Sequence, residues 1–409
     1  MFFISSAPTP PTTSTAPDAR DLAGRLERHV QRVARVLKRD HLPHGAVFDP
    51  VYAGPSSSEI VRYTHAGDSA IWTGHHLAAA AFEYAVTGSK KAKSKVRRAV
   101  AAIRVLLEVT GNDTLARGAV PKDSRWIDAI TVGEAHQRVF SGSYRGVDYR
   151  WAGTTSRDQY SGVIFGLGFA WELVPLSGIR DEIREIVTRL VDYLRNGAWT
   201  VRNPDGTIST TFVARPEQML AFLQVARLVN PGRFTGPYGE VRDAFGTLVG
   251  LPITLEITDL HGSYFKFNLD AINLAHLVRL EEPGRYLDEY RKAYDTLRGA
   301  VGSHQNAHFN MIDHVIKGPN GARDRETRRL LRDWLKRPRR NVSVDLGGTY
   351  PVCGENLSCA PIPVAERVTT DFLWQRDPFV LSGGGGGDVG APGIDLLLPY
   401  WMARYYGVL

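Results

Sequence analysis

Cysteine is nearly absent. Two occur in 409 residues, Cys353 and Cys359, in the segment "CGENLSC". They lack the CxxC spacing of a zinc ribbon or dithiol redox centre, and no histidine lies near them in sequence. A local disulfide is expected, contributing about 2 kcal/mol by closing a short loop and pointing to an oxidising compartment. No apolar run reaches about 18 residues, so no transmembrane helix is expected. The HExxH signature of a zinc hydrolase is missing. The five-glycine run 383–387 has no GK[ST] after it, which removes a phosphate-binding loop. No repeat with a period of about 34 or 40 residues is visible, which argues against a helical solenoid.

Basic charge is in modest excess, with 50 Lys and Arg against 43 Asp and Glu. It is concentrated in "KKAKSKVRR" and "RDRETRRLLRDWLKRPRR". Acids are mixed into the longer run, and the two runs together hold a single aromatic, Trp334. Both therefore read as solvated outer helix faces, and no nucleic-acid partner is expected. Residues 1–20 are rich in Pro, Thr and Ser and read as a disordered segment. The "FFI" near the start is too short for the apolar core of a signal peptide. With the disulfide, this linker-like start makes a secreted or periplasmic location the expectation. Residues 21–409 read as a single domain.

From Asp21 onward, twelve helical segments alternate in character. Segments 21–40, 90–109, 179–196, 285–299 and 322–336 are amphipathic and heavily charged, and 237–249 is mixed. Segments 68–87, 157–174, 215–229, 264–281, 305–316 and 393–406 carry few charges. A helix apolar on most faces is buried on most faces, whereas one with a charged half lies outside. Six hairpins, each with one inner and one outer helix, predict an all-α (α/α)6 toroid. Its long loops, 111–155, 198–214, 250–263 and 338–392, would crowd one end with minor β structure. Internal glycines at Gly162, Gly166 and Gly168 suggest close helix packing, since each costs about 1 kcal/mol against Ala.

Polar residues gather where the inner helices begin. "RYTHAGDSAIW" offers Arg62, His65, Asp68 and Trp72. "TSRDQY" offers Arg157, Asp158, Gln159 and Tyr160. "ARPEQ" offers Glu217, and "DLHGSYFKFN" offers His261 and Tyr264. "SHQNAHFNMIDH" includes Asn310, and "APGID" includes Asp395. Any one acid here reads equally as a helix cap or dipole partner. As a set they would converge on one funnel, joined by aromatics such as Trp151 and Trp401. Aromatic faces with interspersed carboxylates and Arg suit sugar rings, which stack a C–H face while their hydroxyls find charged partners.

"GDSAIWTGHHLAAAAFEYAVTG", "SRDQYSGVIFGLGFAWEL" and "PGIDLLLPYWMARYYG" resemble the inner helices of (α/α)6-barrel carbohydrate-active enzymes, the six-hairpin glycosidase superfamily. The resemblance implies a glycoside hydrolase with Asp68 and Asp158 as its working acids, and no cofactor is expected. It also implies inversion, the commoner outcome in that superfamily. On charge grounds, Asp158 with Arg157 beside it suits the base or nucleophile. Asp68, with Trp72 one turn on, suits the acid, and Glu217 and Asp395 stand in reserve. A polysaccharide lyase is the alternative, with His261 and Tyr264 as the proton-abstracting pair and Arg62 or Asn268 on a uronate carboxyl. A metal site at His304 and His308, and a non-catalytic glycan-binding module, are the other readings.

Overall fold

The computed structural model describes residues 17–259, 262, 264–353, 359–369 and 371–409. Its helices are α1 Pro17–Asp40, α2 Ser69–Thr87, α3 Lys90–Glu108, α4 Asp128–Thr131, α5 Arg157–Leu173, α6 Ser177–Asn196, α7 Pro216–Val229, α8 Pro231–Phe245, α9 Gly250–Glu256, α10 Phe265–Leu280, α11 Arg285–Val301, α12 Ala307–Lys317, α13 Gly321–Asp333 and α14 Ile394–Tyr405. Helix α1 starts at Pro17, inside the segment read as disordered. The rest of that segment lies outside the described residues.

The core forms where the apolar helices meet. Contacts run from α2 to α5, α7, α10, α12 and α14, and α14 returns to α2. The amphipathic helices pack outside them, α3 on α2, α8 on α7, α11 on α10 and α13 on α12. The closest approach is between α2 and α5. A Cβ on Gly74 would overlap the Gly162 carbonyl, and one on Gly166 would overlap that of Gly74. These two helices touch backbone to backbone, which places their N-terminal residues side by side.

The all-α expectation is overturned. Strands make up 12% of the chain beside 58% helix, so the class is mixed α/β. Among the described residues, nine strands form three antiparallel sheets: β1 Asp49–Tyr52, β2 Ile60–Thr64, β3 Gly118–Pro121, β4 Val139–Tyr144, β5 Val147–Ala152, β6 Thr200–Arg202, β7 Ile208–Thr211, β8 Arg340–Asp345 and β9 Ser382–Gly390. Their orders are β2-β1-β9-β8, β3-β5-β4 and β6-β7. The segments read as loops build sheets because their polar groups pair across the chain. The glycine run is the clearest case. It forms β9, and a Cβ at Gly384 would collide with the Val342 carbonyl of β8. Glycine is needed there for close strand approach at positive φ, not for phosphate. Cys353 and Cys359 are disulfide-bonded, as their spacing suggested. No helix among the described residues is long and apolar enough to cross a membrane.

Candidate active site

Asp68 stands at the start of α2 but does not cap it, because its side chain makes no capping hydrogen bond. Its Oδ1 instead accepts from Arg117 Nη2 at 3.0 Å and from Gln159 Nε2 at 3.2 Å. The same Gln159 nitrogen lies 3.2 Å from Asp158 Oδ2. One amide thus bridges the two acids. The bridging side chain is fixed at its other end, where Gln159 Oε1 accepts from the Ile71 N–H at 3.0 Å. The α2–α5 contact is what allows a residue of one helix to bond the first turn of the other.

Arg117 is the second tie. It is buried, and its Nε donates to the Gly67 carbonyl at 2.7 Å. Its Nη1 donates to Ser156 Oγ at 2.6 Å, and that hydroxyl donates to Asp158 Oδ1. One guanidinium therefore holds Asp68 directly and Asp158 through Ser156, as a planar fork with several donors can. Arg117→Ala leaves buried carbonyls and a carboxylate without their donor. It is expected to destabilise the fold by about 2 kcal/mol, measured by urea unfolding.

The two acids differ in environment. Burial raises the pKa of Asp68 above its ordinary value, and the charge of Asp158 raises it further, while Arg117 and His65 oppose. Its side chain is still 36% exposed, so solvent reaches it from one side of a concave site. Asp68 opens onto a cavity of about 50 Å³, lined also by Asp49, His65, Trp72, Arg337, Asp371, Phe372 and Asp395. Trp72 packs on Phe372 with ring centroids 4.5 Å apart, giving an aromatic wall. Asp395, in the first turn of α14, accepts from the Leu373 N–H at 3.2 Å. Burial raises its pKa, opposed by Arg337. Asp158 and Gln159 are not among the lining residues and adjoin the cavity through Asp68.

His65 sits at φ 54°, a left-handed conformation uncommon outside glycine. Its Nδ1 bonds Asp49 Oδ2 at 2.9 Å. That bond raises the His65 pKa to about 9 from 6.5, against burial and with further help from the charges of Asp49, Asp68 and Asp371. For Asp49, burial acts upward, but hydrogen bonds from His41 and His65 outweigh it and the pKa falls. His65 is thus an imidazolium at neutral pH. Because its folded pKa is raised, its stabilisation is complete below pH 6.5 and is lost as pH rises through about 9. An NMR titration of the His65 ring is expected to show a midpoint near 9 in the wild type and near its ordinary value in Asp49→Asn.

The other residues singled out from sequence lie elsewhere. Glu217 is fully buried in a separate cluster. There Arg215 donates Nε to Glu217 Oε1 at 2.7 Å and Nη1 to Glu256 Oε1 at 2.5 Å, with Nη2 3.6 Å from Asp270. Burial pushes Glu217 up to about 7 against Arg215, and Asp270 is pushed up by burial and by the charges of Glu256 and Glu217. Three carboxylates share one guanidinium, so Glu217 and Asp270 are held toward their protonated forms. Arg157 lies close enough to feel this cluster, and burial followed by the Arg215 charge lowers its pKa. Arg62 is an exposed residue of β2.

Trp151 is buried against Phe140, and the Tyr160 hydroxyl accepts from the Leu115 N–H at 3.2 Å. Asn310 joins Arg298 and Glu326 at 2.6 and 2.9 Å. These three are core residues. Trp401 lines a different cavity, beside α1 and α3. Asn268 is buried between His75 and His308. His261 lies outside the described residues. Tyr264 instead pairs with His304, 3.1 Å from its Nδ1, and both are buried. Among the described residues, no group of three or more His, Cys, Asp and Glu is placed to hold a metal ion. Sequence reading passed over Asp49, Arg117, Arg337 and Asp371. They come from strands and connecting segments with no local motif.

No protein-family model, curated protein or solved structure matches this chain.

Proposed function

We propose that the protein is a glycoside hydrolase in which Asp68 is the general acid and Asp158 the nucleophile. The observation that carries this is the Asp68–Gln159–Asp158 bridge. Two carboxyl groups stand side by side, one of them, Asp68, opening onto an aromatic-walled cavity, and the environment of that one favours its protonated form. Glycoside cleavage needs that asymmetry: a proton for the leaving oxygen and a carboxylate for C1 or water. Arg117 and Ser156 keep Asp158 hydrogen-bonded, and Asp68 Oδ2 remains clear of the Arg117 and Gln159 bonds to donate.

The spacing bears on stereochemistry. Both bridged oxygens are 3.2 Å from one nitrogen, so they are no more than twice that distance apart. Inverting enzymes separate their carboxyls by about 6.5–9.5 Å to admit water, and retaining enzymes by about 5–5.5 Å. That bound falls just short of the inverting range, and we take Asp158 as a nucleophile acting by double displacement, where the family resemblance implied inversion. The balance of charge around the cavity gives no net attraction for a uronate, and a neutral or amino-bearing glycan is the expected class. Asp49, Asp68, Asp371 and Asp395 line it with His65 and Arg337, and Arg117 and Arg376 pair with Asp68 and Asp371. The disulfide supports action outside the reducing cytoplasm.

A panel of neutral, amino-bearing and uronate polysaccharides tests the reading. New reducing ends from a neutral or amino-bearing glycan, with retained anomeric configuration by NMR, are expected. Ultraviolet-absorbing unsaturated uronate products would instead identify a lyase.

A further inference from the structure

A second cavity, of about 200 Å³, lies between α1, α2, α3 and α14 and shares no lining residue with the candidate active site. Its walls include Leu37, Ala79, Ala80, Leu397 and Trp401. Three cations line it, Lys38, Lys95 and Arg98, against one carboxylate, Glu83. The sequence suggested that the "KKAKSKVRR" run is a solvated face. Lys95 departs from this, because it is buried and donates to Glu83 Oε2 at 2.5 Å. That pair cancels its own charge. Lys38 and Arg98 are exposed and, among the described residues, have no carboxylate in ion-pair contact, which leaves two positive charges at the mouth. His76 also lines the cavity, and its Nδ1 is buried with no hydrogen-bond partner. Burial, then Lys95 and Arg98, lower the His76 pKa to about 3, so the imidazole is neutral and adds no charge.

An apolar cavity of about 150 Å³ is enough to bind benzene. This one is larger and has a cationic rim. We infer that it binds a medium-chain monocarboxylate. The alkyl tail lies against Leu397, Trp401 and the α2 alanines, and the carboxylate meets Lys38 and Arg98. Charge complementarity sets the choice: the walls accept any small apolar body, and the rim selects an anionic end. The site is independent of the chemistry at Asp68.

Isothermal titration calorimetry of the full chain with octanoate, octanol and octylamine tests it. Octanoate is expected to bind once per chain. Octanol should bind at least about tenfold more weakly and octylamine more weakly still. The double charge reversal Lys38→Glu, Arg98→Glu, on exposed positions, should weaken octanoate at least about tenfold. Ala80→Leu, which fills the cavity, should remove binding without altering charge. The charge-reversed protein keeps the test open if Ala80→Leu does not fold. The inference is overturned if octanoate does not bind, if octylamine binds as well, or if charge reversal leaves octanoate affinity unchanged.

Discussion

Asp68→Asn and Asp158→Asn are each expected to lower kcat on a cleaved glycan by about 10²–10⁴-fold while the fold persists. Asp68→Asn removes the proton donor. Its effect should be least on substrates with good leaving groups, which need little protonation. Asp158→Ala removes the nucleophile and leaves a space beside C1. A small anion such as azide should restore turnover there and give a glycosyl azide of inverted configuration, which Asp68→Asn should not. Stability gives the control. The folded pKa of Asp68 is raised, so ionising it works against the fold as pH rises through that pKa. Asn carries no such penalty, and Asp68→Asn should melt at or slightly above the wild-type temperature at neutral pH. The charge of Asp158 is one cause of the raised Asp68 pKa, so Asp158→Asn should lower the Asp68 pKa, measured by carboxyl NMR titration.

Gly74→Ala is expected to destabilise the protein by about 3 kcal/mol or more in urea unfolding. The added methyl meets the Gly162 carbonyl and the backbone nitrogen of Val163, neither of which can rotate away. Relief requires α2 and α5 to separate, which costs packing along both helices. The separation also reaches the candidate site, because Gln159 Oε1 bonds the Ile71 N–H across this interface. A folded Gly74→Ala protein should therefore lose turnover as well. A substitution of similar size at Gly88, whose Cβ direction is open, should leave the helix contact untouched despite its positive φ.

The helices were readable from apolar periodicity, and most begin and end within a few residues of expectation. The exception is instructive. A helix at 237–249 was expected, but α8 runs Pro231–Phe245 and α9 follows at Gly250–Glu256. The sequence "PGRFTGPYGE" looks like a breaker, yet Pro231 occupies the first helical turn, where its missing N–H costs nothing. The sheets were not readable. β9 is mostly glycine and carries no alternating side-chain pattern, and its partner β8 is about forty residues away in sequence. That omission produced the all-α assignment.

The site was half readable for the same reason. Asp68, Asp158 and Gln159 sit in sequence-local helix starts. Arg117, Asp49 and Asp371 become neighbours only when the sheet and the connecting segments fold over those starts. Aromatics near acids suit sugars, which from sequence alone points Trp151 and Tyr160 toward the site. Burial gives them a core role instead.

Release of reducing ends from the glycan panel by the wild type, Asp68→Asn and Asp158→Asn proteins tests the central claim most directly. The account predicts that the wild type releases reducing ends from at least one neutral or amino-bearing glycan. Both variants should lose that release by about 10²-fold or more while melting near the wild-type temperature. Undiminished release by both variants, or release by the wild type from none of the glycans, would contradict it.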